Sequence, residues 1–139
     1  IKADVLFHIV NDIERVGDHA ENIAEISQFM EDKKVKFTDD ASKELDNIFE
    51  LASKNFYDSI TALKTSDFEL AATIAERERE INILEQNARN SHVARLHAGT
   101  CSVEAGIYFL DIISNLERIS DHSINITEEL GRMSGHVSL

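Results

Sequence analysis

The sequence predicts an all-α fold, an elongated antiparallel up-and-down bundle of four long helices. Three observations point there. The 139 residues contain no Pro and only five Gly, and a strand-rich chain needs both at its turns. Apolar residues recur in steps of three and four over four separate stretches, which is the period of a helix face. Short polar segments separate the stretches, and short connections make consecutive helices antiparallel. A hydrophobic content of 42% lets a chain of this length bury one domain core.

The first stripe runs through Leu6, Ile9, Ile13, Val16, Ala20 and Ile23. It fades into "MEDKKVKFTDD", which reads as a charged loop. Thr38 or Asp39 is placed to cap the second helix, whose stripe is Leu45, Ile48, Phe49, Ala52, Phe56, Ile60 and Leu63. In "TSDFE", Ser66 and Glu69 have the spacing of a capping box, in which each side chain satisfies a free backbone N–H of the other. The third helix carries Ala71, Ile74, Ile81, Leu84 and Ala88 and runs to about Leu96, with Gly99 as its stop. Thr100 or Ser102 starts the fourth. Its stripe is Phe109, Ile112, Leu116, Ile119, Ser123, Ile126, Leu130 and Met133, with Gly131 and Gly135 at a fraying end. Helices of about 25 to 30 residues are each roughly 40 Å long at 1.5 Å per residue.

The net charge of −12 repels phosphate backbones and argues against nucleic acid and anionic membrane surfaces. Cations and basic protein surfaces remain as partners. Cys101 is alone, so no intrachain disulfide forms, and the expected role is a small buried hydrophobe. No run of about 18 apolar residues exists to span a bilayer, and no signal peptide is visible. The chain starts at Ile1, already in a helical pattern. It reads as a piece of a longer protein with room for a membrane segment upstream.

One phrase occurs twice. "ERVGDHAENIAE" covers 14–25 and "ERISDHSINITE" covers 117–128. With 8–25 laid on 111–128, Ile9, Glu14, Arg15, Asp18, His19, Asn22, Ile23 and Glu25 match identically. An amphipathic pattern accounts for the apolar matches. It does not account for the same Glu, Arg, Asp, His and Asn, so the first and fourth helices are equivalent parts of an internal repeat. The expected organisation is a single helical domain over 1–139. Residues 1–30 are the last helix of a first repeat, and 39–133 form a complete three-helix repeat.

With the apolar stripe at a and d positions, Glu14, Asp18, Glu21 and Glu25 share one edge of the first helix. Glu117, Asp121 and Glu128 share the matching edge of the fourth. Like charges four apart cost a helix a few tenths of a kcal/mol per pair, and a bound cation would turn that cost into a binding site. Glu78 and Asn82 repeat the same spacing on the third helix, the neighbour of the fourth in an antiparallel hairpin. Glu78, Asn82, Glu117 and Asp121 are therefore expected to converge. Their oxygens suit Mg²⁺, Ca²⁺, Mn²⁺ or iron. The plainer alternative is a set of solvated acidic faces neutralised by Arg15, Arg77, Arg79 and Arg118.

Three further features stand beside this edge. His19 and His122 follow the motif Asp in both copies and point about 100° away from it, so a hydrogen bond to a carboxylate or packing on the next helix fits them better than ligation. Asn22 and Asn125 suit interhelical hydrogen bonding, and Gly17 and its counterpart Ser120 suit close helix approach. His8, His92, His97 and His136 share no pattern and read as surface residues.

"NDIERVGDHAENIAE" and "SNLERISDHSINITEE" resemble the signature helix of the PhoU family, and "ATIAEREREINILE" resembles the helix before it. The resemblance implies a bundle of two three-helix repeats that binds multinuclear metal clusters on its surface, through motifs of Glu or Asp, three residues, then Asp. Carried over by position, the ligands are Glu14, Asp18, Glu117 and Asp121, with Glu78 and Asn82 from the preceding helix. Asn82 departs from the all-carboxylate pattern, and the helices that would face Glu14 and Asp18 are absent here. The implied cofactor is a divalent or trivalent ion (iron, Zn, Mg or Mn).

The implied role is regulation of phosphate uptake without catalysis. Some members of the family are stand-alone regulators linking a phosphate transporter to a sensor histidine kinase. Others form the cytoplasmic C-terminal domain of a sodium/phosphate cotransporter. "HIVNDIERVGDHAENIAE" is more similar to the cotransporter branch, which implies a membrane transporter domain in cis and a place at the cytoplasmic face of the inner membrane. A homodimer is a further expectation. Two rivals stand against this reading. A ferritin-like di-iron enzyme needs Glu-x-x-His motifs aimed into the core, and the sequence has none. A plain structural or dimerisation bundle explains the seams but not the matched polar residues.

Overall fold

The computed structural model of the chain describes residues 3–134. They form α1 (Ala3–Lys33), α2 (Asp39–Thr65), α3 (Phe68–Ala98) and α4 (Val103–Ser134), with no strand among the described residues. Pairs across the helices establish the up-and-down order. His8 meets Glu129 and Lys33 meets Glu104 between α1 and α4. Asp58 meets Arg77 and Glu44 meets Arg95 between α2 and α3. The all-α bundle is as expected. Gly135 and His136 lie outside the described residues.

The ends follow local chemistry. The Thr38 side chain accepts from Ala41 N and caps α2. Gly99 ends α3 at φ 70, in the left-handed region that glycine enters without strain. Ser102 Oγ accepts from Ala105 N where α4 begins. The expected Ser66/Glu69 capping box is not there. Ser66 closes α2 instead, at φ 53, with its N–H on Ala62 O. A residue turned left-handed to stop one helix cannot also cap the next, so the cap of α3 falls to Asp67, which accepts from Leu70 N.

The helices are not arranged as equal neighbours. α4 packs on all three others, and α2 also packs on α3, while α1 packs on α4 alone. α4 is therefore buried on several sides, including Phe109, Ile113, Leu116, Ile126 and Leu130. The single contact of α1 rotates its buried stripe away from the expected one. The buried residues are Val5, Ile9, Asp12, Val16, His19, Ile26 and Met30. Leu6 and Ile13 are exposed, as is Ala20.

Every seam holds heptad spacing but admits polar residues. α2 buries Ala41, Leu45, Ile48, Ala52, Asn55, Ser59 and Ala62, stepping by four and three, while the expected Phe49 is exposed. α3 buries Ile74, Ile81, Glu85, Ala88 and His92. His92 was expected at the surface. Gly106 of α4 admits it, since a Cβ there would run into the imidazole, and the ring stacks on Phe109 with centroids 5.6 Å apart. Asn55 holds α2 to α3 by donating to Ile74 O and accepting from Arg77, which also pairs with Asp58.

Candidate functional site

The flank between α3 and α4 gathers four carboxylates. Glu78 and Glu85 come from α3, and Glu117 and Asp121 from α4. Burial first, and then the charge of Asp121, push the Glu78 carboxyl up to about 7, against the pull of the Ser120 hydroxyl. Burial again leads at Glu85, pushing it up to about 8. The charges of Glu117, Glu78 and Asp121 add to this, with a side-chain contact to Glu117. Asp121 is raised by burial and then by Glu117, opposed by His122 and Arg118. The cause is common to all three: like charges crowded where water is partly excluded disfavour ionisation.

Three of these four residues were expected to meet: Glu78, Glu117 and Asp121. Asn82 lies one turn beyond Glu78 but is exposed and forms no hydrogen bond to the group. Glu85 is the residue that sequence reasoning missed. It is 4% exposed, and its Oε1 has no hydrogen-bonding partner. Glu78 Oε2 and Ser120 Oγ are also buried without one; Ser120 stands near enough to weigh on Glu78 but not in hydrogen-bonding geometry. The signal for Glu85 was available. The steps from Ile74 to Ile81 and Ala88 leave seam slots that Glu78, Glu85 and His92 fill.

The donor set is hard oxygen, which fits a divalent or trivalent cation rather than a soft one. The buried, unpartnered oxygens of Glu78 and Glu85 fit the same reading. Glu78, Glu85, Glu117 and Asp121 would hold such an ion. As the side chains stand, no three acidic, His or Cys groups among the described residues are close enough to enclose one. Glu117 is paired with Arg89 of α3, which also reaches Ser114 Oγ at 3.4 Å.

Glu14 and Asp18 do not join this group. Both are exposed on α1, which does not touch α3, and Asp18 has Arg15 at 3.9 Å. The repeated phrase has a second use on the inner face of these helices. His122 Nδ1 lies 2.8 Å from Asp12 Oδ1, and His19 Nδ1 lies 3.0 Å from Asn115 Oδ1. Asn125 donates to Asp12, and Asn22 donates to Asn115. Asp12 and Asn115 are equivalent positions of the repeat, so the two trios are copies related by the crossing of α1 and α4. The two imidazoles stack between them, centroids 5.8 Å apart. His and Asn thus bond across the helix pair, as expected of them. The close approach expected at Gly17 is absent, since a Cβ there would meet nothing within 4 Å. Ser120, its counterpart, is fully buried.

The chain is similar in sequence to known proteins. The family described as PhoU domain matches residues 2–27 and 45–130, both copies of the repeated phrase among them. The phosphate-specific transport system accessory protein PhoU homolog 1 of Thermotoga maritima is 34% identical over 120 residues, covering 86% of this chain and 51% of its own. The phosphate-specific transport system accessory protein PhoU homolog of Clostridium acetobutylicum is 28% identical over 120 residues, covering 86% of this chain and 53% of its own. This chain thus spans about half the length of the relatives it matches. No solved structure matches it. With the family matched over most of its length and the doubled phrase facing itself across α1 and α4, the chain belongs to the PhoU family.

Proposed function

We propose that this chain is a non-enzymatic regulatory module of phosphate uptake that binds divalent or trivalent metal ions on the α3–α4 flank. The observation that carries the metal reading is the group Glu78, Glu85, Glu117 and Asp121, with buried oxygens of Glu78 and Glu85 lacking a partner. A structural bundle gains nothing from four crowded carboxylates, two of which are pushed toward neutrality. A cation replaces that repulsion with coordination. The regulatory reading is supported by the two relatives, each named as an accessory protein of phosphate-specific transport.

We further propose that 1–30 is the last helix of one repeat and 39–133 a complete second repeat, within a cytoplasmic domain of a sodium/phosphate cotransporter. The transporter domain is then the partner in cis. The burial asymmetry supports the repeat reading, since α4 is packed by three helices and the equivalent α1 by one. A stand-alone regulator is the second reading, favoured by the accessory role in both relatives' names. An immunoblot of fractionated cells separates the two. A cotransporter domain sediments with membranes, and a stand-alone regulator stays in the supernatant.

The metal reading is tested by elemental mass spectrometry of protein purified without chelator, beside Glu117→Gln/Asp121→Asn. Stoichiometric metal in the wild type and none in the equally folded variant is the expected result. Metal absent from both refutes it. For the regulatory reading, deleting the chain is expected to alter phosphate flux or its control, and no change in either would exclude it.

A further inference from the structure

We infer that Arg89 is a built-in counter-cation of the carboxylate group, which a metal ion must displace from Glu117, and that Glu85 is a ligand the ion then recruits. The inference rests on the metal reading above and adds two residues to it.

The argument starts from what Arg89 is able to do. A guanidinium is permanently charged, has five donors and no lone pair to offer, and so cannot ligate a metal. It shares the flank with a cation only as a competitor. Arg89 lies one helical turn beyond Glu85 on α3 and reaches across to Glu117 and Ser114 on α4. Glu117 is one of the carboxylates any ion at this flank would use. While Arg89 holds it, Glu117 is turned to the guanidinium, and no three acidic groups among the described residues enclose a site. The Arg89 side chain is 34% exposed, so it can swing into water without opening the core.

Glu85 is placed for the exchange. It is 4% exposed, lies within reach of the charges of Glu117, Glu78 and Asp121, and leaves Oε1 with no hydrogen-bonding partner. Buried polar atoms without a partner are rare in native folds, and a cation entering beside Glu117 and Asp121 supplies one.

The test is a Mn²⁺ titration of the metal-stripped full chain, followed by the electron paramagnetic resonance signal of free Mn²⁺. The chains compared are wild type, Arg89→Gln, Arg89→Lys, Glu85→Gln and Glu117→Gln/Asp121→Asn. Arg89→Gln removes one positive charge at contact range, and binding is expected to tighten by about tenfold. Arg89→Lys keeps the charge and should bind like wild type. Glu85→Gln should weaken binding by about tenfold, and the double variant should abolish it. A tighter complex is a readout that structural damage does not produce. Circular dichroism establishes the fold of each chain.

If wild type binds and the double variant does not, but Arg89→Gln binds equally or more weakly, the counter-cation is refuted while the metal site stands. An unchanged Glu85→Gln refutes the ligand role. If neither wild type nor Arg89→Gln binds Mn²⁺, the metal reading and this inference fall together.

Discussion

Glu85 occupies a seam slot on α3, between Ile81 and Ala88, where a bundle normally places an apolar side chain. Its consequences reach stability through pH. In the folded chain Glu78 keeps its proton up to about 7 and Glu85 up to about 8, against an ordinary value of 4.5. Between those limits the folded state holds more protons than the unfolded one, so the unfolding free energy falls as pH rises. The stabilisation is complete below about 4.5 and is lost by about 8. The melting temperature in metal-free buffer is therefore expected to fall from pH 5.5 to 8.5. Glu85→Gln, which stays neutral, should melt higher than wild type at pH 8.5 and show a flatter profile. Thermal melts across that range check both statements, and a wild-type profile that rises with pH contradicts them. Glu78, Glu117 and Asp121 were legible because their spacing repeats on two helices. Glu85 belongs to no repeated spacing, and an acidic residue in an acidic helix reads as surface until the seam is counted through it.

At the scale of the helix, the two copies of the repeat make a natural experiment. Ile113 on α4 is fully buried, and Val10, its equivalent on α1, is 53% exposed. The residues are similar, so the difference lies in what packs on each helix. Ile113→Ala is expected to cost about 2–5 kcal/mol in urea unfolding, and Val10→Ala at most about 0.5 kcal/mol. Comparable losses at both sites would mean that α1 is covered as α4 is. Gly106→Ala belongs to the same scale. The added methyl displaces the His92 ring from its stack on Phe109, at a cost of about 1–3 kcal/mol by overpacking. The four helices and most of their ends were legible from period and caps. The facing of α1 was not. Its apolar residues occupy two adjacent stripes, and periodicity alone does not say which one finds a partner. The buried stripe turned out to hold Asp12, which bonds to His122, and His19, whose Nδ1 bonds to Asn115 while its Nε2 is buried without a partner.

For the molecule as a whole, the unmatched stripe of α1 is the main unsatisfied feature. Leu6, Val10 and Ile13 are exposed at 49%, 53% and 39%, while their equivalents Phe109, Ile113 and Leu116 are at 2%, 0% and 1%. The stripe borders a groove whose other wall is Phe49, Phe56 and Tyr57 of α2 and whose lining includes Ile119. A continuous apolar surface of this kind drives association wherever it is left open. The opposing force is the net charge of −12, which makes copies of the chain repel one another. Salt distinguishes the two, because it screens charge within about 8 Å at physiological ionic strength and leaves apolar contact largely intact. The isolated 139-residue chain is therefore expected to self-associate at about 100 µM, a concentration chosen to be well above a micromolar dissociation constant. Association should strengthen from low to physiological salt. Leu6→Glu/Ile13→Glu should sediment as a monomer with the same helical content, because neither side chain is in the core. Sedimentation velocity at two salt concentrations decides it. A wild-type chain that stays monomeric at both would mean that the α1 stripe is too weakly apolar to act alone. Association that weakens with salt would point instead to charged contacts between copies.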